Sequence, residues 1–210
     1  MTNFFQVKKK SKLSNARLGL INTSHGKINT PSFIFCGTKA TVKSVLPSQL
    51  KLARTQIILS NTYHLMLQPG PEIISKEGGL QSFTDWNGPM MTDSGGYQIF
   101  SLGYGSVSEE IKGKNNNAKR KSLIKITEDG ASFRNYINGD KVFLSPERSI
   151  ELQRDFGADL IFVLDECTPF NVSKKYTEKS MYMSHRWAER CINSFDSKFK
   201  KYNSTFGSSG

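Results

Sequence analysis

The sequence predicts an α/β fold built on a parallel sheet, and three observations support that prediction. Short apolar segments recur along the chain, they alternate with segments of helical character, and each ends in a cluster of polar residues. Strands that are apolar along their whole length are typical of a parallel sheet covered by helices on both faces. In such folds, ligands bind at the carboxyl ends of the strands. We therefore expect the functional side chains at the ends of the predicted strands.

We interpret the chain as one domain with five consecutive segments. They are an N-terminal β-meander (1–30), the first βα units (31–102), a basic loop with a hairpin insertion (103–144), a segment with a helix, the fourth strand and a long helix (145–202), and a flexible tail (203–210). The meander is predicted from polar–apolar alternation interrupted by turn signals, and His25 is interpreted as a turn residue.

The second segment is predicted to hold three strands and two short helices. The expected strands are 32–36, 56–59 and 89–92, and the expected helices are 47–53 and 72–76. Pro47 suits the first turn of a helix, where its missing N–H costs nothing. The pair Gly78-Gly79 suits a helix end, because glycine adopts the left-handed backbone found there.

Turn and cap residues predict the remaining elements. The alternating segments 122–127 and 132–137 are joined by Glu128-Asp129-Gly130 and are expected to form a hairpin. Ser145 and Pro146 are expected to begin a helix that Gly157 ends. A fourth buried strand is predicted over 159–164, and a long helix over 175–195. The apolar residues of this helix that we expect in the core are Met181, Trp187, Ala188, Cys191 and Phe195.

The charge of the chain favours a polyanionic partner. The formal net charge is +11 and the sequence pI is about 9.6. Nucleic acid is the first candidate for such a partner, although a solvated basic surface gives the same count. The basic residues are clustered at Lys8–Lys10 with Lys12, at 112–125 and at 198–201. This clustering favours RNA or DNA.

Other features argue against a membrane protein or a secreted protein. The longest apolar run, Leu160–Leu164, is far shorter than a membrane span. The basic N-terminus has no apolar segment behind it, so we expect no secretory signal. Cys36, Cys167 and Cys191 are odd in number and widely spaced, which indicates reduced thiols in a cytoplasmic protein and no Cys-x-x-Cys metal pair.

The third predicted strand ends in Asp93-Ser94-Gly95-Gly96-Tyr97, which could bind a flat, nitrogen-rich ligand. A carboxylate accepts two parallel N–H bonds, the pattern presented by the donor edge of a guanine-like base. Two glycines let the backbone approach such a ligand closely, and Tyr97 offers an aromatic face for stacking. The plainer alternative is a loop with a capping aspartate and two turn glycines.

The fourth predicted strand ends in a second acidic cluster, Asp165-Glu166-Cys167-Thr168-Pro169. Because the carboxyl ends of parallel strands meet at one edge of a sheet, Asp93 and Asp165 are expected to converge on one face. A shared site is the prediction, although two strands can also end in aspartate by chance.

Together these two clusters resemble the corresponding motifs of the bacterial tRNA-guanine transglycosylases. Asn61-Thr62-Tyr63-His64-Leu65 and Ser145-Pro146-Glu147 are also similar to motifs of that family, in the same order and at about the same spacing. The resemblance covers nearly the whole chain. It implies a (β/α)8 TIM barrel, of which this chain would supply the first half.

The resemblance also implies an activity and its residues. The family exchanges guanine at the wobble position of tRNAs with GUN anticodons for the queuine precursor preQ1, through a covalent ribosyl-enzyme intermediate. By motif, Asp93 is the proton acceptor and also contacts the base, and Ser94, Gly95, Gly96 and Tyr97 line the base pocket. Asp165 binds the donor edge of the base. Cys167 has no firm role.

The chain departs from the family pattern after the fourth strand. The family continues with an aspartate nucleophile, basic RNA contacts and a Cys/His zinc site, and it forms homodimers; neither the nucleophile nor the zinc ligands are found in these 210 residues. The sequence therefore predicts a truncated chain with no metal or other cofactor. We expect it to perform no base exchange alone.

Three functional hypotheses remain open from the sequence. The first is a transglycosylase, complete or truncated. The second is a catalytically dead remnant of the same fold that binds tRNA or a protein partner. The third is an unrelated basic α/β hydrolase that uses Asp93 and Glu166 as an acid–base pair.

Overall fold

The computed structural model of the chain describes residues 4–104, 124–168 and 172–206. The described residues divide into two compact units. The first comprises the chain up to Asp93 together with Gln153–Ile161, and the second comprises Ser94–Leu152 together with the chain from Phe162 onward. No helix in the described ranges combines the length and the apolar character needed to cross a membrane.

The first unit begins with an antiparallel meander, as predicted. Its strands are β1 (Phe5–Lys10), β2 (Arg17–Thr23) and β3 (Gly26–Thr30), paired in the order β1-β2-β3. The pairing of β1 with β2 contains a register shift between Val7 and Lys9, which is a β-bulge.

A three-stranded parallel sheet follows, which confirms the parallel sheet expected from the apolar segments. Its strands are β4 (Phe35–Cys36), β5 (Ile58–Ser60) and β6 (Met90–Thr92), in that order. The sheet lies in the core of the unit. Buried apolar side chains of this unit include Ile57, Ile58, Leu65, Ile74, Leu80, Met90 and Phe156.

Four short helices accompany this sheet. They are α1 (Pro47–Leu52), α2 (Thr62–Leu67), α3 (Pro71–Lys76) and α4 (Leu80–Thr84). The sequence predicted α1 and α3, whose first turns begin with proline, but it did not predict α2 and α4. Helices of five or six residues complete fewer than two turns, so they leave little periodicity to detect.

The predicted fourth strand over 159–164 is wrong as a regular strand. Only Leu160 forms a bridge, parallel to Met91, and the residues that follow it have no strand pairing among the described residues. Leu160 donates its N–H to the Met90 carbonyl and accepts the Thr92 N–H. Phe162 and Val163 are also exposed rather than buried.

His25 does more than form a turn, contrary to the prediction. Its Nδ1 lies 2.9 Å from Oδ1 of Asp159, whose side chain is only 1% exposed. The same carboxylate accepts the Met90 N–H at 3.0 Å and the Gln81 side-chain amide at 3.2 Å. Buried charges are tolerated where they are paired and hydrogen-bonded. Asp159 therefore links the β2–β3 turn to the start of β6.

The second unit contains α5 (Gly96–Tyr104) and a three-stranded antiparallel sheet of β7 (Ile124–Thr127), β8 (Gly130–Arg134) and β9 (Lys141–Leu144). The predicted hairpin is confirmed, although its second strand begins two residues earlier than expected and β9 was not predicted. Apart from residues 124 and 125, the basic cluster at 112–125 lies outside the described residues.

Helix α6 (Pro146–Asp155) begins as predicted, with the Ser145 hydroxyl accepting the Arg148 N–H at 3.2 Å. Its last residues, from Gln153, belong to the first unit. Gly157 follows with φ +72°, and its N–H donates to the Arg154 carbonyl. Glycine adopts this left-handed backbone without strain, which confirms it as the helix end.

The long helix α7 (Lys174–Phe206) extends beyond the predicted end at residue 195, into the predicted tail. Its buried stripe runs through Ser180, Met183, Trp187 and Cys191, at intervals of three and four residues. Met181 and Phe195, predicted to be core residues, are 44% and 41% exposed. The prediction is confirmed for Trp187 and Cys191, which are buried, and wrong for Met181, which lies off the stripe that these two residues define, and for Phe195. The Trp187 ring N–H donates to the Glu128 carbonyl at 2.7 Å.

Candidate functional site

Asp93 stands directly after β6, and its carboxylate is bound by residues that follow β5. Thr62 donates its backbone N–H to Oδ1 at 2.8 Å, and Asn61 donates its side-chain amide to Oδ2 at 2.5 Å. The Thr62 hydroxyl also donates to the backbone carbonyl of Asp93. Hydrogen bonds to a carboxylate are about twice as strong as neutral ones. They fix the Asp93 side chain in one orientation.

Parallel pairing explains why these residues meet. β5 and β6 are neighbours, so their carboxyl ends lie side by side, and α2 begins immediately after β5. Asn61, the N-cap residue of α2, makes no capping hydrogen bond with its own side chain. The Asp93 carboxylate accepts the first N–H of that helix instead. Because a carboxylate offers about four acceptor positions, the same group can also accept N–H groups of a ligand.

The imidazole of His64 lies close enough to Asp93 to sense its charge. Burial lowers the pKa of His64 below its ordinary value near 6.5, the positive charge of Lys39 lowers it further, and Asp93 partly offsets both. Lys39 follows β4, so the three side chains come from the ends of three parallel strands. The His64 imidazole is therefore neutral at neutral pH.

The residues after Asp93 form a turn into α5, in the second unit. Gly95 has φ +89°, a left-handed backbone that favours glycine. The buried hydroxyl of Ser149, in α6, donates to the Ser94 carbonyl at 2.9 Å and holds the turn. Tyr97 is 51% exposed. The structure therefore presents an aromatic ring directly after a rigid glycine turn.

Gly96 lies against Asp165. A Cβ added to Gly96 would stand 2.6 Å from the Asp165 backbone carbonyl oxygen and 2.9 Å from its Oδ1, closer than real Cβ contacts come. Only glycine fits at this position without a shift of the neighbouring chain. The structure thus brings together two predicted site residues and supplies a steric reason for the second glycine of the pair.

Helix α7 holds the segment that carries Asp165. The Glu166 N–H donates to the Ser184 hydroxyl at 3.0 Å, and the Tyr176 hydroxyl donates to the Glu166 carboxylate. Leu164 is buried, whereas Asp165 is exposed. Successive side chains of an extended segment point to opposite sides. Asp165 therefore faces outward while its neighbours are anchored, and the Glu166 carboxylate serves to attach the segment to α7.

A small cavity lies behind this segment. It is lined by Gly96, Leu164, Asp165, Cys167 and Trp187, among others, and its volume is about 10 Å³. That is room for about one water molecule. A purine does not fit there, so any ligand contact of Asp165 in this unit is made on the exposed side of the residue.

The structure does not test the predicted convergence of Asp93 and Asp165. It does show hydrogen-bond partners of site residues that the sequence did not indicate. Asp93 and Asp165 belong to different units, so their convergence stays a prediction. Asn61 and Thr62 were recognised as part of a motif, but not as partners of Asp93. Their signal was available, because they end the strand that neighbours β6. The contact of Tyr176 with Glu166 had no such signal.

No group of three or more His, Cys, Asp or Glu side chains in the described ranges is arranged to hold a metal ion. The zinc site implied by the resemblance stays a prediction.

Comparisons with known proteins agree with the motifs. The family model of queuine tRNA-ribosyltransferase matches residues 11–209. The chain is 45% identical over 193 residues to a queuine tRNA-ribosyltransferase of Roseiflexus sp. (strain RS-1), an alignment that covers 91% of this chain and 48% of the relative. It is 47% identical over 185 residues to that of Staphylococcus haemolyticus (strain JCSC1435), with coverages of 88% and 44%.

The chain thus spans about half the length of the curated relatives it matches. The family model nevertheless covers nearly all of the chain, and the relatives carry the same family description. Both findings confirm the resemblance seen in the motifs. The chain belongs to the queuine tRNA-ribosyltransferase family.

Proposed function

We propose that the protein is a tRNA-guanine transglycosylase, a pentosyltransferase of queuosine biosynthesis. The reaction would exchange guanine at the wobble position of GUN-anticodon tRNAs for preQ1 through a covalent ribosyl-enzyme intermediate. The observation that carries the proposal is the Asp93 carboxylate, held by Thr62 and Asn61 at the carboxyl end of β6. A carboxylate fixed in this way is suited to accept N–H groups of a purine and to take up a proton.

Asp165, the Ser94–Gly96 turn and Tyr97 are the other residues that we assign to base recognition. Asp165 would accept the donor edge of the base on its exposed side, because the cavity behind it has room for only one water molecule. The Ser94–Gly96 turn would let the backbone approach the base closely, and the exposed ring of Tyr97 would stack on it.

We also propose a (β/α)8 barrel as the complete fold. Three strands, β4, β5 and β6, pair in parallel and in the order in which they occur in the chain, and Leu160 continues this order at Met91. A doubly wound sheet reverses its strand order at a switch point, whereas a barrel does not. The sequential order therefore supports a barrel.

Three further features belong to the proposal. tRNA is the macromolecular substrate, in keeping with the net charge of +11. A homodimer is the expected assembly, as the resemblance implies. A cytoplasmic location is in keeping with the odd number and wide spacing of Cys36, Cys167 and Cys191.

Calorimetric titration of the chain with guanine, preQ1 and adenine tests the base recognition. Guanine and preQ1 should bind, and adenine should bind at least about tenfold more weakly, because its amino group replaces the carbonyl and no N1–H donor remains. Asp165→Asn should weaken guanine binding, whereas Asp196→Asn, the same change on exposed α7, should not. Equal affinity for the three bases, or equal effects of the two variants, would contradict the proposal.

A further inference from the structure

The positive charge of the chain is concentrated in its first third. Residues 1–71 contain ten of the 29 Lys and Arg side chains and no Asp or Glu; the first acidic residue is Glu72. The remainder of the chain is close to neutral. A segment without internal carboxylates cannot neutralise its cations locally, so it creates a positive field at the surface.

The most concentrated part of this charge lines a cleft in the first unit. The cleft has a volume of about 350 Å³ and is lined by Lys9, Lys10, Arg17, Leu18 and Pro31, among others. This volume is within the range of sites that bind small molecules or single nucleotide units. We call it the β1–β2 basic cleft.

Strand pairing forces two of its cations together. Lys10 of β1 is directly opposite Arg17 of β2, and Lys9 is opposite Leu18 after the bulge. Side chains directly opposite on neighbouring strands have Cβ atoms about 5 Å apart, and like charges in such pairs are destabilising. The pair therefore raises the free energy of the folded chain unless an anion lies between its members.

The described part of the chain provides no such anion. None of the three cations has a carboxylate within 4.0 Å there. The Arg17 guanidinium lies 5.9 Å from the ring centroid of Phe5, a cation–π contact that orients it without neutralising it. Leu18, which is 52% exposed, adds an apolar wall beside the charges.

We propose that the β1–β2 basic cleft binds phosphodiester groups of an RNA strand. Lys9, Lys10 and Arg17 would contact the phosphate oxygens, and Leu18 and Pro31 would pack against the sugar and base. RNA as the source of the phosphates rests on the proposed function, whereas the phosphate site itself follows from the charges and the strand register. None of its residues belongs to the proposed base site.

RNA titrations of the 210-residue chain test the cleft. The informative variant is Lys10→Gln/Arg17→Gln, and the matched control is Lys27→Gln/Lys51→Gln, which removes the same charge from β3 and α1. On single strands, each phosphate contact contributes about 0.7 to the slope of log affinity against log salt concentration. Loss of two contacts should therefore lower this slope by about 1.4 and lower the affinity about 25-fold at 0.1 M salt. The control should lose less than about threefold. Equal losses in both variants would overturn the proposal.

Thermal unfolding at low salt gives an independent readout. Inorganic pyrophosphate should raise the Tm of the wild-type chain but not that of Lys10→Gln/Arg17→Gln. Without any anion, the Tm of this variant should exceed that of the wild type, because the repulsion between Lys10 and Arg17 is gone. An unchanged or lowered Tm of this variant would count against the cleft. A wild-type chain that responds to pyrophosphate but binds no RNA would overturn RNA as the ligand. RNA binding through these residues without guanine binding would support the cleft and contradict the proposed function.

Discussion

Replacing Gly96 with alanine tests the contact between the glycine turn and Asp165. The added Cβ would stand 2.6 Å from the Asp165 carbonyl oxygen, a backbone atom, and 2.9 Å from Oδ1. The side-chain oxygen can rotate away, but the backbone oxygen moves only with the whole segment. Ordinary contact begins at 3.4 Å, so the segment must retreat by about 0.8 Å, within the range of backbone shifts forced by overpacking.

Two effects of different size follow from this shift. Overpacking of a well-filled site costs about 1–3 kcal/mol of stability. The segment is attached to α7 through Glu166, so it cannot relax freely, and we expect a cost near 2 kcal/mol. A shift of this size breaks the hydrogen bond that Asp165 would make to the base, and because a hydrogen bond to a charged group contributes about 1.5–3 kcal/mol, we expect guanine affinity to fall about ten- to a hundredfold.

Chemical denaturation and calorimetric titration with guanine measure the two effects separately. Gly139→Ala is the matched control, because nothing lies within 4 Å of its added Cβ although φ is +78°. It should lose about 1 kcal/mol of stability through backbone strain and keep its guanine affinity. If Gly96→Ala keeps the stability and affinity of the wild type, the close contact between Gly96 and Asp165 does not exist.

Three further changes have expected outcomes. Asp159→Ala should lower the free energy of unfolding by about 3 kcal/mol in urea denaturation, because it leaves buried donors without an acceptor; a loss under about 0.5 kcal/mol would contradict the linking role of this residue. The Arg190 guanidinium lowers the pKa of Glu147 below its ordinary value near 4.5, so this pair contributes stability above that pH and loses it as the pH falls through the lowered pKa. Between pH 6 and pH 3, the free energy of unfolding measured by denaturation should therefore fall less for Glu147→Gln than for the wild type. The difference should be under about 1 kcal/mol because the pair is partly exposed. An equal fall in both proteins would refute the ion pair. Ser149→Ala removes the donor to the Ser94 carbonyl and should reduce stability by about 1 kcal/mol. It should also reduce the guanine affinity measured by calorimetry. Reduced stability with unchanged guanine affinity would show that the turn does not position the base site.

Residues with a single local role were predictable from the sequence. Pro47 and Ser145 mark helix starts and Gly157 marks a helix end, because caps and first turns depend on backbone geometry within a few residues. The parallel sheet was also predictable, since its strands are apolar along their whole length.

Features set by distant partners were not predictable in this way. The Trp187 ring was expected in the core, but its hydrogen-bond partner, the carbonyl of Glu128, lies 59 residues earlier in the chain. The role of His25 depends on Asp159, 134 residues later. At the site, the sequence indicated Asp93 but not the donors that hold it. Those donors were part of a recognised motif, and their place directly after the neighbouring strand was the signal that could have indicated them.

The most direct test of the central claim is the guanine affinity of Asp93→Asn compared with Asp85→Asn, measured by calorimetry on the 210-residue chain. Asp85 has a left-handed backbone that asparagine tolerates, so its variant controls for the lost charge. An amide at Asp93 offers one acceptor where Thr62 and Asn61 donate to two oxygens, and it also removes a charge-assisted hydrogen bond to the base. We expect Asp93→Asn to bind guanine at least about tenfold more weakly than Asp85→Asn. Affinities within about twofold of each other would contradict the assignment of Asp93 to base recognition.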